Sequence, residues 1–317
     1  MEGPFVLMMD PLLAEVWGVR LWYYGLAWAL GFSAVLLWVM LRRNYVGLTS
    51  RQVWDLSLVF SLSCLVLGRV FQVLVYEWDI FNGRYAEVFA FWKEGMAYEG
   101  VMVGALAGAV LFCAVHGKSF FLVADEMVIP FAFLLALVRI GGHLNGEIYG
   151  YVTTAWWAVK FPLVEGFRHP VALYDAFKNL IIMFILLAVG RGGTQGQGRL
   201  LGHFMLWYGV FDLVIDIFQA PGPLFRDFGI GRFSGALVAL IGLLLIARSA
   251  RRNSRKTTEL STLRFAPASL IAAIPSRLTP GIWFRVMLFM AILLFCLTIP
   301  GGWSREWLHH LAWQLGI

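Results

Sequence analysis

Eight apolar stretches dominate the sequence, and each is long enough, or nearly so, to cross a lipid bilayer. An α-helix rises 1.5 Å per residue, so about 20 apolar residues cross a hydrocarbon core of about 30 Å. Backbone polar groups in that core must be hydrogen-bonded within the protein, which favours helices for stretches of this length. We therefore predict an all-α integral membrane protein, a polytopic bundle. The stretches lie near residues 20–41, 53–75, 96–115, 120–141, 171–190, 199–218, 230–248 and 282–299.

The composition supports a membrane protein. Hydrophobic residues make up 60% of the 317 residues and charged residues only 14%, whereas soluble domains are about half apolar and about a quarter charged. The net charge of +6 comes from cations that cluster at the ends of the apolar stretches. Such clusters set orientation and attract anionic lipid, so we expect the membrane, and no nucleic acid, as a partner.

The three cysteines, Cys64, Cys113 and Cys296, lie in apolar stretches without the spacing of a metal or redox site. Cysteine in such surroundings behaves as a small hydrophobic residue. We therefore expect three core residues, no disulfide and no metal centre.

Basic residues mark one set of links between the stretches. They include Arg42, Arg43, Arg51 and the run 248–256, whereas the opposite links mix acidic and basic residues. Because cytoplasmic loops carry the excess of Lys and Arg, we place the N-terminus outside and the basic run inside. The predicted units are an amphipathic lead-in (1–19), a seven-helix membrane domain (20–250), a basic cytoplasmic linker (251–281), and an extra transmembrane helix with a tail (282–317).

Polar residues gather at the end of the fourth stretch, in R-I-G-G-H-L-N-G-E-I-Y-G (139–150). A charge facing lipid costs about 2.5–3.5 kcal/mol on insertion scales, so Arg139, His143, Asn145 and Glu147 should line a protein cavity. Arg139 lies fourteen residues beyond Asp125, or about 21 Å along a helix, in the outer half of the membrane. We expect a site there; the alternative is a helix end whose polar side chains reach out to water.

Further polar residues are predicted to reach the same half of the membrane. Asp212 and Asp216 are four residues apart, so on a helix they share a face and require a cation or a proton. The cations available in the sequence are Arg139, Arg69 and Arg232. A structural ion-pair network is the alternative to a reactive site. The other polar residues assigned to this half are Tyr76 and Glu99.

Several motifs in one order resemble the prolipoprotein diacylglyceryl transferase family. The stretch 139–150 resembles the family's G-R-[IL]-G-N-F-[IL]-N-G-E-x-x-G, and R-H-P-V-A-L-Y-D (168–175) resembles its R-H-P-S-Q-L-Y-E. The resemblance covers residues 18–252 and so implies seven family-like transmembrane helices. Three more stretches fall in the family's order: Y-Y-G-L (23–26), G-R-V-F-Q-V-L-V-Y (68–76) and K-S-F-F-L-V-A-D (118–125).

The resemblance implies a cofactor-free reaction at the outer leaflet of a bacterial cytoplasmic (inner) membrane. A diacylglyceryl group passes from phosphatidylglycerol, an anionic phospholipid, to the thiol of a lipobox cysteine in a prolipoprotein, and glycerol phosphate leaves. Arg139 would bind the phosphate through its fork of donors, and Asn145 and Glu147 would orient it. Tyr24 and Tyr76 would hydrogen-bond the headgroup. By the same resemblance, Arg69, Arg168 and His169 are expected substrate-binding residues.

The sequence departs from the family pattern at charged positions. Glu99 stands where the family's H-G-G-L-I-G motif has histidine, and Asp212 and Asp216 stand for the arginine and glutamate of Y-x-x-F-R-x-x-x-E-F-F-R. The asparagine after R-I-G is Gly142 here. We expect Glu99 to replace the histidine as proton acceptor, with Asp212 and Asp216 beside it. Our hypothesis is that Arg232 supplies the cation missing from position 212.

Three functions follow from this pattern. The first is the family's own transfer reaction. The second is a catalytically altered or inactive relative that binds or presents lipid or lipoprotein, and the third is a transferase with a less anionic donor. Retention of Arg139, Asn145 and Glu147 favours an enzyme-like pocket, whereas the replacements at positions 99 and 212 favour altered activity.

Overall fold

The computed structural model describes residues 5–7, 10–76, 89–90, 95–161, 164–191, 197–220, 230–253 and 279–301. All eight apolar stretches form helices. Within the described ranges, seven helices are long and apolar enough to cross a membrane, which confirms an all-α multi-pass fold. The eight are α1 (Tyr23–Val46), α2 (Ser50–Phe71), α3 (Tyr98–His116), α4 (Phe120–Leu144), α5 (Val171–Gly190), α6 (Arg199–Asp216), α7 (Ile230–Asn253) and α8 (Pro280–Leu297).

Among these eight helices, α6 is the one not counted among the seven that are long and apolar enough to cross a membrane. Its 18 residues include three charged ones, Arg199, Asp212 and Asp216. A helix of this kind needs protein neighbours that satisfy its charges. It packs against α5 and α7, and Gly209 allows a close approach to α7, because a Cβ there would overlap the carbonyl oxygen of Gly235.

Two short turns join the helices at one end of the bundle, which the predicted orientation makes the inner end. Helix α1 ends at Gly47 and α3 at Gly117, both in the left-handed conformation with φ of 66° and 61°. Helix α2 then begins with a capping box formed by Thr49 and Gln52. The Nζ of Lys118 donates to the carbonyl oxygen of Gly47 at 2.6 Å and so ties the two turns together.

Helix α4 is the centre of the bundle. Of its most apolar 18 residues 78% are buried, against 17% for α7 and for α8. It packs against α1, α5 and α6, and Leu134 and Leu135 are fully buried among these neighbours. The site residues at the outer end of α4 are therefore held by the most enclosed element of the fold.

Charged groups near the start of α4 fix its inner end. The guanidinium of Arg42 donates to both carboxylate oxygens of Glu126, at 3.0 and 2.7 Å, in a buried two-pronged ion pair. Asp125 accepts hydrogen bonds from the backbone N–H groups of Gly198 and Leu201, at 3.0 and 2.9 Å. Asp125 thereby caps the first turn of α6 from a different helix.

The extra helix α8 packs against α1 and α2. Near its start Arg285 forms an ion pair with Asp55 of α2. Near its end the backbone of Cys296 touches Gly25 at the start of α1, where a Cβ would overlap the Cys296 carbonyl oxygen. Helix α8 is therefore antiparallel to α1, and the chain reaches Gly301 at the outer end of the bundle.

Short strands lie at the outer end. Strands β2 (Leu12–Val16) and β3 (Val19–Trp22) form a hairpin, whose turn residues Trp17 and Gly18 have φ of 51° and 78°. Strand β1 (Phe5–Val6) pairs with β4 (Val159–Lys160), which pairs with β5 (Phe167–Arg168). The membrane-surface position of the lead-in (1–19) stays a prediction. Most of the linker (251–281) and the tail beyond residue 301 lie outside the described residues.

Candidate functional site

Arg139 lies near the outer end of α4, and its side chain contacts residues of α5 and α3. Its Nε is 3.2 Å from Oδ2 of Asp175 on α5. Its guanidinium carbon lies 3.9 Å from the centroid of the Tyr98 ring on α3, a cation–π contact. Because a guanidinium carries five N–H donors, the contact through Nε leaves donors with which Arg139 can bind an anion.

A chain of alternating charges continues from Arg139 across three helices. Nζ of Lys178 lies 2.6 Å from Oδ1 of Asp175 and 3.0 Å from Oδ1 of Asp212. The Lys178 side chain is only 1% exposed, whereas that of Asp212 is 36% exposed, so the contact with Asp175 is enclosed and the contact with Asp212 is partly open to water. We call Arg139, Asp175, Lys178 and Asp212 the charge chain. Its four charges balance, as buried charges must.

Lys178 is the cation that pairs with Asp212. The sequence offered Arg139, Arg69 and Arg232 as candidates for that partner. Lys178 of α5 fills that place. Arg69 instead donates from Nη1 to the carbonyl oxygen of Gly95 at 3.2 Å. The side chain of Arg232 lies outside the described residues, so its compensating role stays a prediction.

Aromatic rings cover one side of the charge chain. Tyr98 and Tyr208 stack with centroids 6.3 Å apart, and Nζ of Lys178 lies 4.3 Å from the Tyr208 ring centroid. Asn179 donates from Nδ2 to the Tyr98 hydroxyl at 3.1 Å. Glu99 follows Tyr98 in the first turn of α3; its side chain is exposed, yet close enough to act electrostatically on Arg139.

The signature turn follows α4 directly. Asn145 is only 2% exposed, and its Nδ2 donates to Oε1 of Glu147 at 3.4 Å. The backbone N–H of Glu147 donates to the carbonyl oxygen of Gly142 at 2.9 Å. The carboxylate folds back over that glycine, because a Cβ on Gly142 would lie 3.0 Å from Oε2 of Glu147. The absence of a side chain at position 142 therefore makes room for the Glu147 carboxylate.

Two other segments close in on this turn. Tyr24, the second residue of α1, is buried and acts electrostatically with both Glu147 and Arg139. Its Cα lies 3.1 Å from the place of a Cβ on Gly141, so α1 and α4 touch there. On another side, Gly301 packs against Asn145 and Glu147, and any Cβ at position 301 would overlap both side chains.

Arg168 and His169 hold the loop between α4 and α5. Arg168 donates to the carbonyl oxygens of Glu165 and Gly150, at 3.1 and 3.2 Å. Nδ1 of His169 lies 2.9 Å from the Tyr174 hydroxyl. Burial lowers the pKa of His169 from its usual 6.5, so the ring is neutral at pH 7. These contacts are to the protein itself; binding of substrate by Arg168 and His169 stays a prediction.

The two remaining expected site residues are at helix ends. Tyr76 is the last residue of a π-helical segment (Gln72–Tyr76) that continues α2, and its side chain lies outside the described residues. Asp216 is the last residue of α6 and is half-buried. The fold thus brings Tyr24 and Glu99 near Arg139, with Tyr24 also near Glu147. Asn145 contacts Glu147, and Asp212 is joined to Arg139 through α5.

Sequence reasoning missed the middle of the charge chain. Asp175 ended the quoted R-H-P-V-A-L-Y-D motif but was given no role, and Lys178 was not considered. Both stand three residues apart inside the apolar stretch 171–190, and charged residues within a membrane helix mark sites or paired structural charges. That signal alone would have identified α5 as a source of site residues.

Comparison with known proteins agrees with the motif order. The family model for prolipoprotein diacylglyceryl transferase matches residues 11–248, which leaves α8 outside the match. The phosphatidylglycerol–prolipoprotein diacylglyceryl transferase of Aeromonas hydrophila subsp. hydrophila is 31% identical over 246 residues, 75% of this chain and 89% of that protein. The protein of the same name from Mannheimia succiniciproducens is 30% identical over 265 residues, 80% of this chain and 98% of that protein.

Proposed function

The chain belongs to the prolipoprotein diacylglyceryl transferase family, and we propose that it moves a diacylglyceryl group from phosphatidylglycerol to the thiol of a lipobox cysteine. It is a multi-pass membrane transferase. The proposed setting is the outer leaflet of a bacterial inner membrane, with a prolipoprotein as acceptor. No cofactor is proposed, because thiol, phospholipid and protein side chains supply every group that the reaction needs.

The observation that carries the proposal is the pairing of Asp212 with Lys178. An unpaired carboxylate near Arg139 would repel a phosphate and would favour a relative without activity. With Lys178 3.0 Å from Asp212 and 2.6 Å from Asp175, and Arg139 3.2 Å from Asp175, two cations share two carboxylates and neither carboxylate is unpaired. The Arg139 donors other than Nε can therefore bind an anionic phosphate.

The geometry supports a division of roles around the leaving group. In the reaction the sulfur forms a bond to the glyceryl carbon, the carbon–oxygen bond breaks, and the electron pair leaves on glycerol phosphate. Arg139 would stabilise the negative charge that builds up on that phosphate. Asn145 and Glu147 would hold the lipid glycerol beside it, and Tyr24 would exclude water from the side of α1. Positioning of this kind contributes to rate because the reacting atoms start in line.

A reconstituted assay tests the proposal. The purified protein is mixed with phosphatidylglycerol and a lipobox peptide with one cysteine, and the diacylglyceryl adduct is measured by mass spectrometry. We expect Arg139→Ala to lose the adduct. The matched control is Arg20→Ala, because Arg20 lies in the exposed outer hairpin and pairs only weakly with Glu15 at 3.5 Å. Absence of an adduct with the unaltered protein would refute the proposal.

The second candidate is a relative that binds lipid or lipoprotein without transfer. The observation that favours it is the exposed carboxylate of Glu99 in place of the family's histidine. It predicts headgroup-dependent lipid binding that Arg139→Ala weakens, without any adduct. Because the charge chain is neutral overall, the assay also includes phosphatidylethanolamine; faster transfer from that lipid would identify a less anionic donor.

A further inference from the structure

A buried histidine lies one helical turn from Arg139. His143 of α4 is 8% exposed, and its ring meets that of Phe161 edge-on at 5.9 Å. Among the described residues, Nδ1 of His143 has no hydrogen-bond partner. Nδ1 is also enclosed by protein, so a molecule bound beside the ring would meet its other nitrogen, Nε2.

The histidine lines a groove of about 520 Å³ on the outer side of the α4–α5 pair. We call it the His143 groove. The lining that the structure describes contains no carboxylate, ammonium or guanidinium group, and Tyr174 is the one titratable residue there besides His143. The residues that define its walls are Val6, Trp156, Trp157, Leu173, Tyr174 and Phe177.

Arg139 and the His143 groove differ in charge, so they suit different chemical groups. A phosphate fits Arg139, whereas the uncharged His143 groove gives it no counter-charge. A short apolar peptide segment that carries a neutral thiol fits the groove, because its side chains bury against tryptophan and leucine while the thiol approaches the His143 ring at Nε2. The groove therefore suits the acceptor cysteine rather than the donor headgroup.

Helices α4 and α5 place Arg139 beside the His143 groove. Arg139 and His143 are four residues apart on α4, so their Cβ atoms are about 5–6 Å apart on one face. On α5, Asp175 contacts Arg139 while Tyr174 lines the groove. A phosphate at Arg139 and a thiol at His143 would thus lie on either side of the carbon that is transferred.

We propose that His143 is a catalytic residue that takes the proton from the acceptor thiol in the His143 groove. This inference rests on the proposed function and deepens it. Nε2 accepts the thiol proton, the thiolate sulfur bonds to the glyceryl carbon, and the carbon–oxygen bond to phosphate breaks. The electron pair leaves on glycerol phosphate, which takes up the proton from the imidazolium. The chain lacks histidine at position 99 and carries it at position 143, in a drier place than the exposed Glu99.

Three variants of the full chain test the catalytic role in the reconstituted assay. His143→Gln is expected to lower kcat about 10²- to 10⁴-fold, since general-base catalysis contributes about that much, with phosphatidylglycerol binding and thermal stability unchanged. His203→Gln is the matched control, because His203 on α6 also has an unpartnered Nδ1 among the described residues. Glu99→Gln tests the competing base. Normal transfer by His143→Gln, with loss in Glu99→Gln, would overturn the proposal.

A pH series separates a base from a packing residue. A free thiol has a pKa of about 8.5 and ionises without help above that value. The deficit of His143→Gln should therefore shrink as pH rises from about 7 to 9.5. A deficit that stays constant over this range refutes proton transfer by His143. If His143→Gln does not fold, His143→Asn, whose side-chain amide overlaps the Nδ1 position, is measured in the same way.

Cross-linking tests the occupant of the groove even if no transfer occurs. A lipobox peptide with a photoreactive residue beside its cysteine is expected to attach to the segments 156–161 and 173–177. Attachment elsewhere, or attachment there of a photoreactive acyl chain of phosphatidylglycerol instead, overturns the proposal. A wild-type protein that makes no adduct refutes the proposed function and the catalytic role together, whereas an adduct that forms in His143→Gln at the unaltered rate refutes only the latter.

Discussion

Replacement of Lys178 by methionine should destabilise the bundle, because it removes the cation shared by two carboxylates. Removal of one partner from a buried ion pair costs about 3–5 kcal/mol. Asp175 would still have Arg139 at 3.2 Å, and the side chain of Asp212 is 36% exposed, so both carboxylates keep part of their stabilisation. We therefore expect the free energy of unfolding to fall by about 3 kcal/mol, at the lower end of that range.

A double-mutant cycle separates the ion pair from the packing of the lysine stem. Asp212→Asn alone should cost about 1 kcal/mol, since Lys178 keeps Asp175 at 2.6 Å and water reaches position 212. The two changes together should cost about 1–2 kcal/mol less than the separate effects added, which is the coupling expected of a direct contact.

The measurement is reversible unfolding in mixed detergent micelles, followed by circular dichroism. Lys118→Met is the control, because the Lys118 ammonium donates to a backbone carbonyl at the exposed inner turn; it should stay within about 0.5 kcal/mol of the unaltered protein. Strict additivity in the cycle, or a loss in Lys178→Met no larger than in Lys118→Met, would falsify the charge chain as the link between α5 and α6.

Three further predictions concern other contacts. Asp125→Ala removes the cap of α6 and should cost about 1–2 kcal/mol by the same unfolding assay; no loss would contradict the capping role. Gly142→Ala should displace the Glu147 carboxylate, whose Oε2 would lie 3.0 Å from the new methyl group, and lower kcat about tenfold. Gly281→Ala should not, because its methyl group would meet Arg285 Nη1 at an ordinary contact distance of 3.7 Å. Burial lowers the folded-state pKa of His169, so the unfolded chain takes up the proton first as pH falls. The free energy of unfolding should therefore decrease as pH falls through about 6.5. His169→Gln should make the free energy of unfolding depend less on pH in this range.

The helices and their environment were predictable from the sequence because hydropathy and length act locally. All eight apolar stretches became helices, and the short inner turns follow from Gly47 and Gly117. The expectation that Arg139, Asn145 and Glu147 lie in a protein cavity rested on the cost of charge in lipid. Arg139 lies near the end of α4, and Asn145 and Glu147 hydrogen-bond to each other in the turn that follows it; a substrate-binding cavity at this place stays a prediction.

The choice of ion-pair partners could not be predicted in the same way. The partner of Asp212 depends on which face of α5 meets α6, and that is a property of helix packing rather than of spacing along the chain. Lys178 was therefore missed, and Arg69 was considered although it contacts the backbone at Gly95. The strands also escaped notice, because two-residue pairings such as β4 with β5 leave too short a pattern in the sequence.

The contact of Gly301 with the signature turn has a consequence for the order of assembly. The ribosome completes the seven family-like helices before α8 is made, and membrane segments fold as they emerge. Asn145 and Glu147 meet their last neighbour only when residue 301 has been synthesised and α8 has inserted beside α1. The Asn145–Glu147 turn thus reaches its final surroundings only after α8 has inserted, so a newly made chain carries its seven earlier helices for a time with that wall still missing.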